Sequence, residues 1–484
     1  MMQTQLLDVA RGAYSRLSPH TRARIGRFAS LVPERLKWGP TYRRWRSLIA
    51  TTRADPAGLR DYQDKARLAM LSAARRSRYY GELFETVFGP EVGLTQLLED
   101  RHWTRIPVLR SAQVAVSAAD MCTRPIEALD VGSTGGTSGK PVKFYLDKHR
   151  SPIEYAFVHD AWSRAGYRAG DPRCVFRGVE LASSADGHMQ YDHGLAELRC
   201  SVFHLTDETM RGYRDQIHAR RIRFIHGYPS AIAIFASFLI RSGSAPLSEI
   251  EGIFPTSERF YPDQRELLAQ AFDRATIVPF YGLSEKTAFA CARPDDPDAF
   301  EFDPLYGYTE LLEEDGTPVT RVGASGRIIS TGLIFDGMPF VRYDTGDTGE
   351  LVELPSAGNG YRLAIRGITP KHGTEYFVGR SGALIAIKGI ISNLQGTAYG
   401  IREYQFYQDT PGEAVVRIVP SSPGAVDFTR YRELLDRKAA GELTTTVEVV
   451  DRIPVTQRGK RRLIDQRLDI GGTADRRVMP SEAG

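Results

Sequence analysis

Cysteine is scarce in this 484-residue chain: four residues, Cys122, Cys174, Cys200 and Cys291, stand far apart and form no Cys-x-x-Cys pair. Such spacing supports neither a zinc ribbon nor a disulfide framework, and a reducing cytoplasm is the expected compartment. Net charge is small as well, 63 Lys+Arg against 59 Asp+Glu giving +4. So slight a surplus gives no reason to expect nucleic acid as a partner. Long hydrophobic runs are missing. The longest strongly apolar stretch, residues 231–240, suits a buried helix and falls short of the roughly 20 residues that span a bilayer. Residues 1–10 lack the basic start and apolar core of a signal peptide. No Gly-x-Ser-x-Gly elbow and no His-x-x-x-His pair occurs. What is there, 42% hydrophobic, 25% charged and 10% aromatic, is ordinary globular composition. It excludes collagen-like, disordered and coiled-coil chains, and the length calls for more than one domain.

Charge is unevenly placed. Residues 1–50 hold ten Arg/Lys against Asp8 and Glu34, a local net charge of +8. One reading is a basic helical segment that touches an anionic membrane surface or an acidic protein. The other is a solvated helical face packed on the body, because no Trp/Phe-rich apolar face accompanies the charge. Residues 60–130 read mostly helical, with a break at Ile106-Pro107-Val108-Leu109. Between about 150 and 350, short apolar runs lead into glycine turns: residues 221–225 into Gly227-Tyr228-Pro229, 277–280 into Tyr281-Gly282, and 326–330 into Thr331-Gly332. Strand, glycine turn, helix is the grammar of α/β sheets, whose ligands bind at the carboxyl ends of the strands. Beyond Gly379 the pattern predicts strands at 404–407, 414–419 and 444–450, a helix at 428–437 and a polar loop at 456–462. That is a small α+β domain.

The stretch Ser133-Thr134-Gly135-Gly136-Thr137-Ser138-Gly139-Lys140-Pro141 carries the most chemistry. Glycines let backbone N–H groups approach an anion, hydroxyls add donors, and Lys140 supplies charge, a combination suited to phosphate oxygens. It is not a Walker A loop: Thr134 stands at the first glycine position, and Pro141 follows the lysine. A flexible linker is the bland reading of such composition.

The stretch resembles the phosphate loop of the adenylate-forming superfamily, which includes acyl-CoA synthetases, adenylation domains and luciferases. Further motifs agree in order. Tyr281-Gly282-Leu283-Ser284-Glu285 resembles the Tyr-Gly-x-Ser/Thr-Glu motif in its phenylacetate–CoA ligase form. Tyr343-Asp344-Thr345-Gly346-Asp347 resembles Tyr-Arg-Thr-Gly-Asp, and Gly379-Arg380-Ser381 the hinge motif Gly-Arg-Ser-Asp-Asp. Pro454-x-Thr456-x-x-Gly459-Lys460 resembles the C-terminal Pro-x-Thr-x-x-Gly-Lys motif. Gly227-Tyr228-Pro229-Ser230, Thr256-Ser257-Glu258 and Ile106-Pro107-Val108-Leu109 look like that branch too, and the basic extension resembles members associated with capsular polysaccharide gene clusters.

The resemblance implies an α/β fold with a large N-terminal domain (61–378) behind a basic extension (1–60), and a small α+β lid domain (379–484). It implies ATP and Mg²⁺, a carboxylic acid substrate, and coenzyme A as the co-substrate. Residues 133–140 would hold phosphate. Glu285 would hold Mg²⁺ near the α-phosphate, Tyr281 would stack on adenine beside Gly282 and Ser284, and Asp347 would accept from the ribose hydroxyls. Ser257 and Glu258 would line the adenine pocket, with a helix cap as the competing role. Arg380 would bind ribose or phosphate. Lys460 would offset the repulsion between a carboxylate and the α-phosphate it attacks, its flexible stem suiting delivery from a mobile lid. The bland readings are a surface glutamate, a core tyrosine, a plain turn at 345–347 and a solvated basic turn at 458–462. His226 is either an acyl-pocket residue or an ordinary histidine.

Three departures stand out. Gly382-Ala383 replaces the hinge acid, Asp344 replaces the motif arginine, and Cys291 has no Cys or His neighbour that would make a zinc site. The first two leave thioester formation less secured than adenylation. An amine or hydroxyl acceptor, giving an amide or ester ligase, is the alternative. A non-catalytic scaffold that kept the fold is another; a peripheral adaptor role led by residues 1–50 at the inner membrane face is compatible with the enzyme reading.

Overall fold

The computed structural model describes residues 17, 21, 37–90, 92–133, 142–177, 181, 188–203, 205–370, 376–382, 384–386, 401–420, 422, 427–429, 432–433, 435, 442–455 and 461–468. The chain divides into two compact units, Met1–Gly170 with Val278–Lys371, and Asp171–Ile277 with His372–Gly484.

The first unit begins with helices α1 (Gly39–Ala54), α2 (Pro56–Arg75), α3 (Arg78–Phe88), α4 (Asp100–Trp103) and α5 (Ser111–Ser117), followed later by α6 (Arg150–Trp162). Their starts follow local chemistry. Pro56 stands at the first helical position of α2, where Asp55 accepts from Gly58 N, and Ser77 caps α3 by accepting from Tyr80 N. The break after α4 is real. Past Pro107, Leu109 lies beside Tyr343 as a parallel bridge, with Leu109 N donating to Arg342 O at 2.9 Å and Asp344 N to Leu109 O at 2.8 Å. Strands β1 (Leu129–Ser133) and β2 (Lys143–Asp147) form a hairpin.

A seven-stranded antiparallel sheet completes this unit. Its strands are β9 (Phe280–Gly282), β10 (Phe289–Ala292), β11 (Ala299–Phe302), β12 (Gly307–Leu312), β13 (Ser325–Gly332), β14 (Tyr343–Glu353) and β15 (Ala364–Pro370), in the order β12-β13-β14-β15-β11-β10-β9. The strand–turn–helix pattern expected at 326–332 is corrected here. Residues 325–332 are one continuous strand with no helix after it. Gly326 serves close approach rather than a turn, since a Cβ there would sit 2.7 Å from Leu312 O. Helix side chains Tyr80, Phe84 and Trp103 share a core with Phe144, Phe340 and Tyr343, while Ala290, Ile328, Leu351 and Ile365 form a second cluster.

The second unit contains β3 (Arg173–Phe176), β4 (Met189–Asp192), β5 (Glu197–Cys200), β6 (Phe224–Gly227), β7 (Gly252–Pro255) and β8 (Thr276–Ile277), ordered β4-β5-β3-β6-β7-β8. All neighbours are parallel except β4–β5, so β4 is an antiparallel edge. Crossover helices α7 (Asp207–Ala219), α8 (Pro229–Arg241) and α9 (Pro262–Ala271) belong to the same unit. The apolar run at 231–240 lies in α8, and Ala231–Ala236, Phe238 and Leu239 are buried. The chain's last part supplies a hairpin, β16 (Tyr376–Val378) with β17 (Leu384–Ala386), and a sheet ordered β20-β19-β18-β21 from β18 (Ile401–Gln408), β19 (Glu413–Pro420), β20 (Thr444–Val449) and β21 (Ile464–Gln466). Phe377, Phe406, Val416, Ile418, Leu435 and Ile464 form its core. The three strands expected there are present. Only part of the helix expected at 428–437, and of the loop at 456–462, falls within the described residues.

Candidate active site

In the first unit, two motifs that are far apart in sequence meet. Tyr281 on β9 donates its hydroxyl to Asp347 Oδ2 at 2.6 Å. Its ring packs against Phe302 at 5.5 Å between centroids. Glu285 occupies the loop from β9 to β10 and is only 8% exposed. Its Oε1 accepts from the Tyr343 hydroxyl at 2.7 Å. Burial pushes the Glu285 carboxyl above the usual range, opposed by the Tyr343 hydrogen bond. Burial also drives the Tyr281 hydroxyl well up, helped by the Asp347 charge beside it, and Tyr343 is raised by burial and the nearby Glu285 charge. Both phenols therefore stay protonated and act as donors. Gly282 and Ser284 are exposed, and Ser284 and Glu285 form a turn closed by Lys286 N donating to Leu283 O at 3.2 Å.

Lys286, directly after Glu285, has φ +62°. Its ammonium reaches Glu154 on α6 at 2.5 Å, and Tyr306 hydrogen-bonds the other oxygen of the same carboxylate. Arg342, directly before Tyr343, has φ +48° and is 2% exposed. Its guanidinium pairs with Glu310 at 3.0 Å and donates to the carbonyls of Thr104 at 2.9 Å and Ile106 at 2.8 Å. A positive φ in a residue with a Cβ is costly, and such residues cluster at functional sites. The Ile106-Pro107-Val108-Leu109 motif thus braces the backbone beside Tyr343 and Asp344.

In the second unit, Ser257 follows β7, is exposed and has φ +67°. Glu258 is half-buried and bridges two backbone donors, accepting from Ser230 N at the start of α8 at 3.2 Å and from Arg461 N at 3.0 Å. Arg461 further donates to Glu403 at 2.9 Å and to Val202 O at 3.1 Å. His226, 8% exposed on β6, is held well below the usual imidazole range by burial and by the charges of Arg177 and Arg173. Arg380 is exposed, donating from its side chain to Thr444 at 2.9 Å. Its neighbour Ser381 donates its N–H at 2.9 Å and its hydroxyl at 3.0 Å to one oxygen of Glu442. Those bonds and the Arg380 charge hold the Glu442 carboxyl below its ordinary value. An acid therefore meets the Gly379-Arg380-Ser381 segment, contributed from far along the chain rather than by the next residue.

Thr134, Gly135, Gly136, Thr137, Ser138, Gly139, Lys140 and Lys460 lie outside the described residues, as does the side chain of Ser133. Among the described residues no cluster of three or more His, Cys, Asp and Glu suited to a metal ion occurs. Sequence reasoning did not single out Tyr343 as the partner of Glu285, nor Arg342 and Glu442. No local spacing marks them, because their partners lie far along the chain.

No protein-family model matches the chain. Protein CapK of Staphylococcus aureus is 20% identical over 396 residues, covering 80% of this chain and 84% of CapK. Among solved structures, 2-hydroxyisobutyryl-CoA ligase in the postadenylation state, in complex with R3-HIB-AMP, aligns with a TM-score of 0.60 at 18% identity, over 83% of this chain and 89% of that one. The acyl acid amido synthetase AtGH3.15 in complex with 2,4-DB aligns with a TM-score of 0.52 at 12% identity, over 84% and 89%. With more than four fifths of its length aligned to such enzymes, the chain has the α/β fold of the adenylate-forming ligases, a large N-terminal and a small C-terminal domain.

Proposed function

We propose that this protein is an ATP-dependent ligase that activates a carboxylic acid as its acyl-adenylate and passes the acyl group to coenzyme A. The observation that carries this reading is the meeting of the 281–285 and 343–347 motifs through the Tyr281–Asp347 and Tyr343–Glu285 hydrogen bonds. Two carboxylates are each held by a phenol in this way, in separate environments. Asp347 is oriented by a phenol and suits the ribose hydroxyls. Glu285 is buried with a neutral donor, and no salt bridge partners it among the described residues. A buried carboxylate of this kind fits a divalent cation. Mg²⁺ takes one or two carboxylates and fills its remaining positions with phosphate oxygens and water. When bound there, the ion would neutralise phosphate charge.

In the proposed reaction a substrate carboxylate oxygen attacks the α-phosphorus of ATP, and the bond to the β-phosphate oxygen breaks to release pyrophosphate. By the motif resemblance, residues 133–140 take phosphate oxygens and Tyr281, Gly282 and Ser284 the base in the first unit; in the second, Ser257 and Glu258 are assigned to the base and Arg380 to ribose or phosphate. Lys460, carried by the lid at 379–484, bridges the two anions as they meet. The acceptor thiol then attacks the acyl carbon and AMP leaves. Coenzyme A is the first choice of acceptor, as the aligned 2-hydroxyisobutyryl-CoA ligase is a CoA enzyme. The likeness to AtGH3.15, an acyl acid amido synthetase, supports an amine acceptor as the second reading. A place in polysaccharide biosynthesis is the reading supported by the resemblance of the basic extension to members associated with capsular polysaccharide gene clusters. No helix among the described residues is long and apolar enough to cross a membrane. The compartment we propose is a reducing cytoplasm, on the scarce and widely spaced cysteines of the sequence.

Carboxylate-dependent ATP–pyrophosphate exchange across aryl, fatty, amino and sugar acids tests the proposal, followed by AMP release with CoA or with amines. At least one acid is expected to support exchange. Silence across all classes would favour the scaffold reading.

A further inference from the structure

Strand β14 does not run straight beside β13. Ser330 pairs with Tyr343 and Ile329 with Asp344, but the ladder resumes at Arg327 with Thr348. Thr345, Gly346 and Asp347 therefore stand opposite the single residue Ile328. In a straight register Ile328 would face Thr345, and the next two residues of β14 would fall one and two places further along β13. A bulge re-aims side chains in just this manner, and bulges recur beside active sites.

The bulge is closed by side chains. Asp344 Oδ1 accepts from Gly346 N at 3.0 Å. Thr345 Oγ1 accepts from Asp347 N at 3.1 Å and donates to Ile328 O at 2.8 Å. Gly346 adopts φ +77°, the left-handed region that glycine enters without steric cost. On the other side Asp347 pairs with Pro370 of β15. One contact ties this turn to the neighbouring strand by charge: Arg327 Nη1 donates to Asp344 Oδ2 at 2.7 Å. The two side chains are only 8% and 16% exposed, so water and salt screen the pair weakly. Asp344 thus spends one oxygen on the turn and the other on β13. The outcome is an Asp347 carboxylate fixed where the Tyr281 hydroxyl meets it at 2.6 Å.

We infer that Asp344 and Arg327 are positioning residues that hold the bulge from which Asp347 reads the ribose of a bound nucleotide. Neither needs to touch the nucleotide. Arg327 locks Asp344, Asp344 fixes the Gly346 amide, and the backbone carries the constraint to Asp347. This inference rests on the role proposed above for Asp347.

The test is binding of ATP and of 2′-deoxyATP to the full-length protein by calorimetry, which needs no turnover. The unaltered chain is expected to prefer ATP, and Asp347→Ala to abolish the preference. Asp344→Ala should weaken ATP binding about tenfold, the worth of roughly one charge-assisted hydrogen bond, while 2′-deoxyATP binding changes little. Asp344→Asn keeps an acceptor for Gly346 N and should lose less, and Arg327→Lys should retain more preference than Arg327→Gln. The thermal transition identifies any variant that fails to fold, and the two conservative variants then carry the test. Ribose preference unchanged in folded Asp344→Ala and Arg327→Gln would overturn the inference, as would equal losses for both nucleotides. No ATP binding by the unaltered protein would overturn both this inference and the proposed function. ATP binding without carboxylate-dependent exchange would overturn only the proposed function.

Discussion

At the scale of single residues, the telling fact is a carboxylate removed from water beside a neutral donor, while the ammonium of the adjacent Lys286 pairs with Glu154 and offsets the burial of Glu285 only in part. Taking a charge into a protein interior costs free energy unless a partner offsets it. Glu285, 8% exposed, has the neutral Tyr343 hydroxyl. Its carboxyl is raised in the folded state, so its contribution to stability is complete at acid pH and is lost as pH rises through the raised value. Glu285→Gln in the presence of a chelator should therefore match the unaltered protein near pH 4 and exceed its thermal midpoint at pH 7. The same variant should lose pyrophosphate exchange by about a hundredfold or more, the scale on which electrostatic stabilisers of a transition state act. His226 behaves in the opposite sense. Its imidazole is held low by burial and by Arg177 and Arg173. A depressed pKa gives stability present above the ordinary histidine range and lost as pH falls through the folded value. His226→Gln should flatten the fall in thermal midpoint on the acid side, and an unchanged profile would contradict the assignment.

Elements show how few local rules set the site. Pro56, Asp55 and Ser77 start their helices as propensity dictates. Ile106-Pro107-Val108-Leu109 breaks the helical region as its proline requires, yet its use as a brace for β14 depends on Arg342. Arg342→Ala would leave Glu310, whose side chain is 10% exposed, without its guanidinium partner. The expected cost is about 3–5 kcal/mol, the range for breaking a buried pair from one side, read from the denaturant midpoint. In the C-terminal part, Glu442→Ala removes the acceptor of the Ser381 amide. Hydrogen exchange at Ser381 should speed up in that variant, while β18 and β19 amides keep their protection. The motif glycines and Ser381 are plain in the sequence. Glu442 is not, because it arrives from the segment before β20.

For the whole molecule, the order of five separated motifs is the strongest feature of the primary structure, and the fold agrees with what that order implies. Lys460→Ala is expected to reduce pyrophosphate exchange by about a hundredfold or more while ATP still binds, as for a group that acts on charge in the transition state. Undiminished exchange would remove Lys460 from the mechanism. Composition indicated a multi-domain globular chain with a buried apolar helix, and α8 is that helix. The expectation of an α/β pattern throughout 150–350 holds for β3, β5, β6, β7 and β8 and fails for 280–370, where hairpins build an antiparallel sheet. Short apolar runs flanked by glycine do not specify whether a helix or a second strand follows.

The sequence by itself determined the motif order, the helix starts and the buried run, all properties of residues close together along the chain. Tertiary structure decided which side chains meet. Tyr343 is 58 residues from Glu285, Tyr281 is 66 from Asp347, and Ser381 is 61 from Glu442. Those pairs depend on strand register, where a one-residue slip turns every side chain to the opposite face. Register is fixed by packing and by bulges such as that at 345–347, and no local spacing records it.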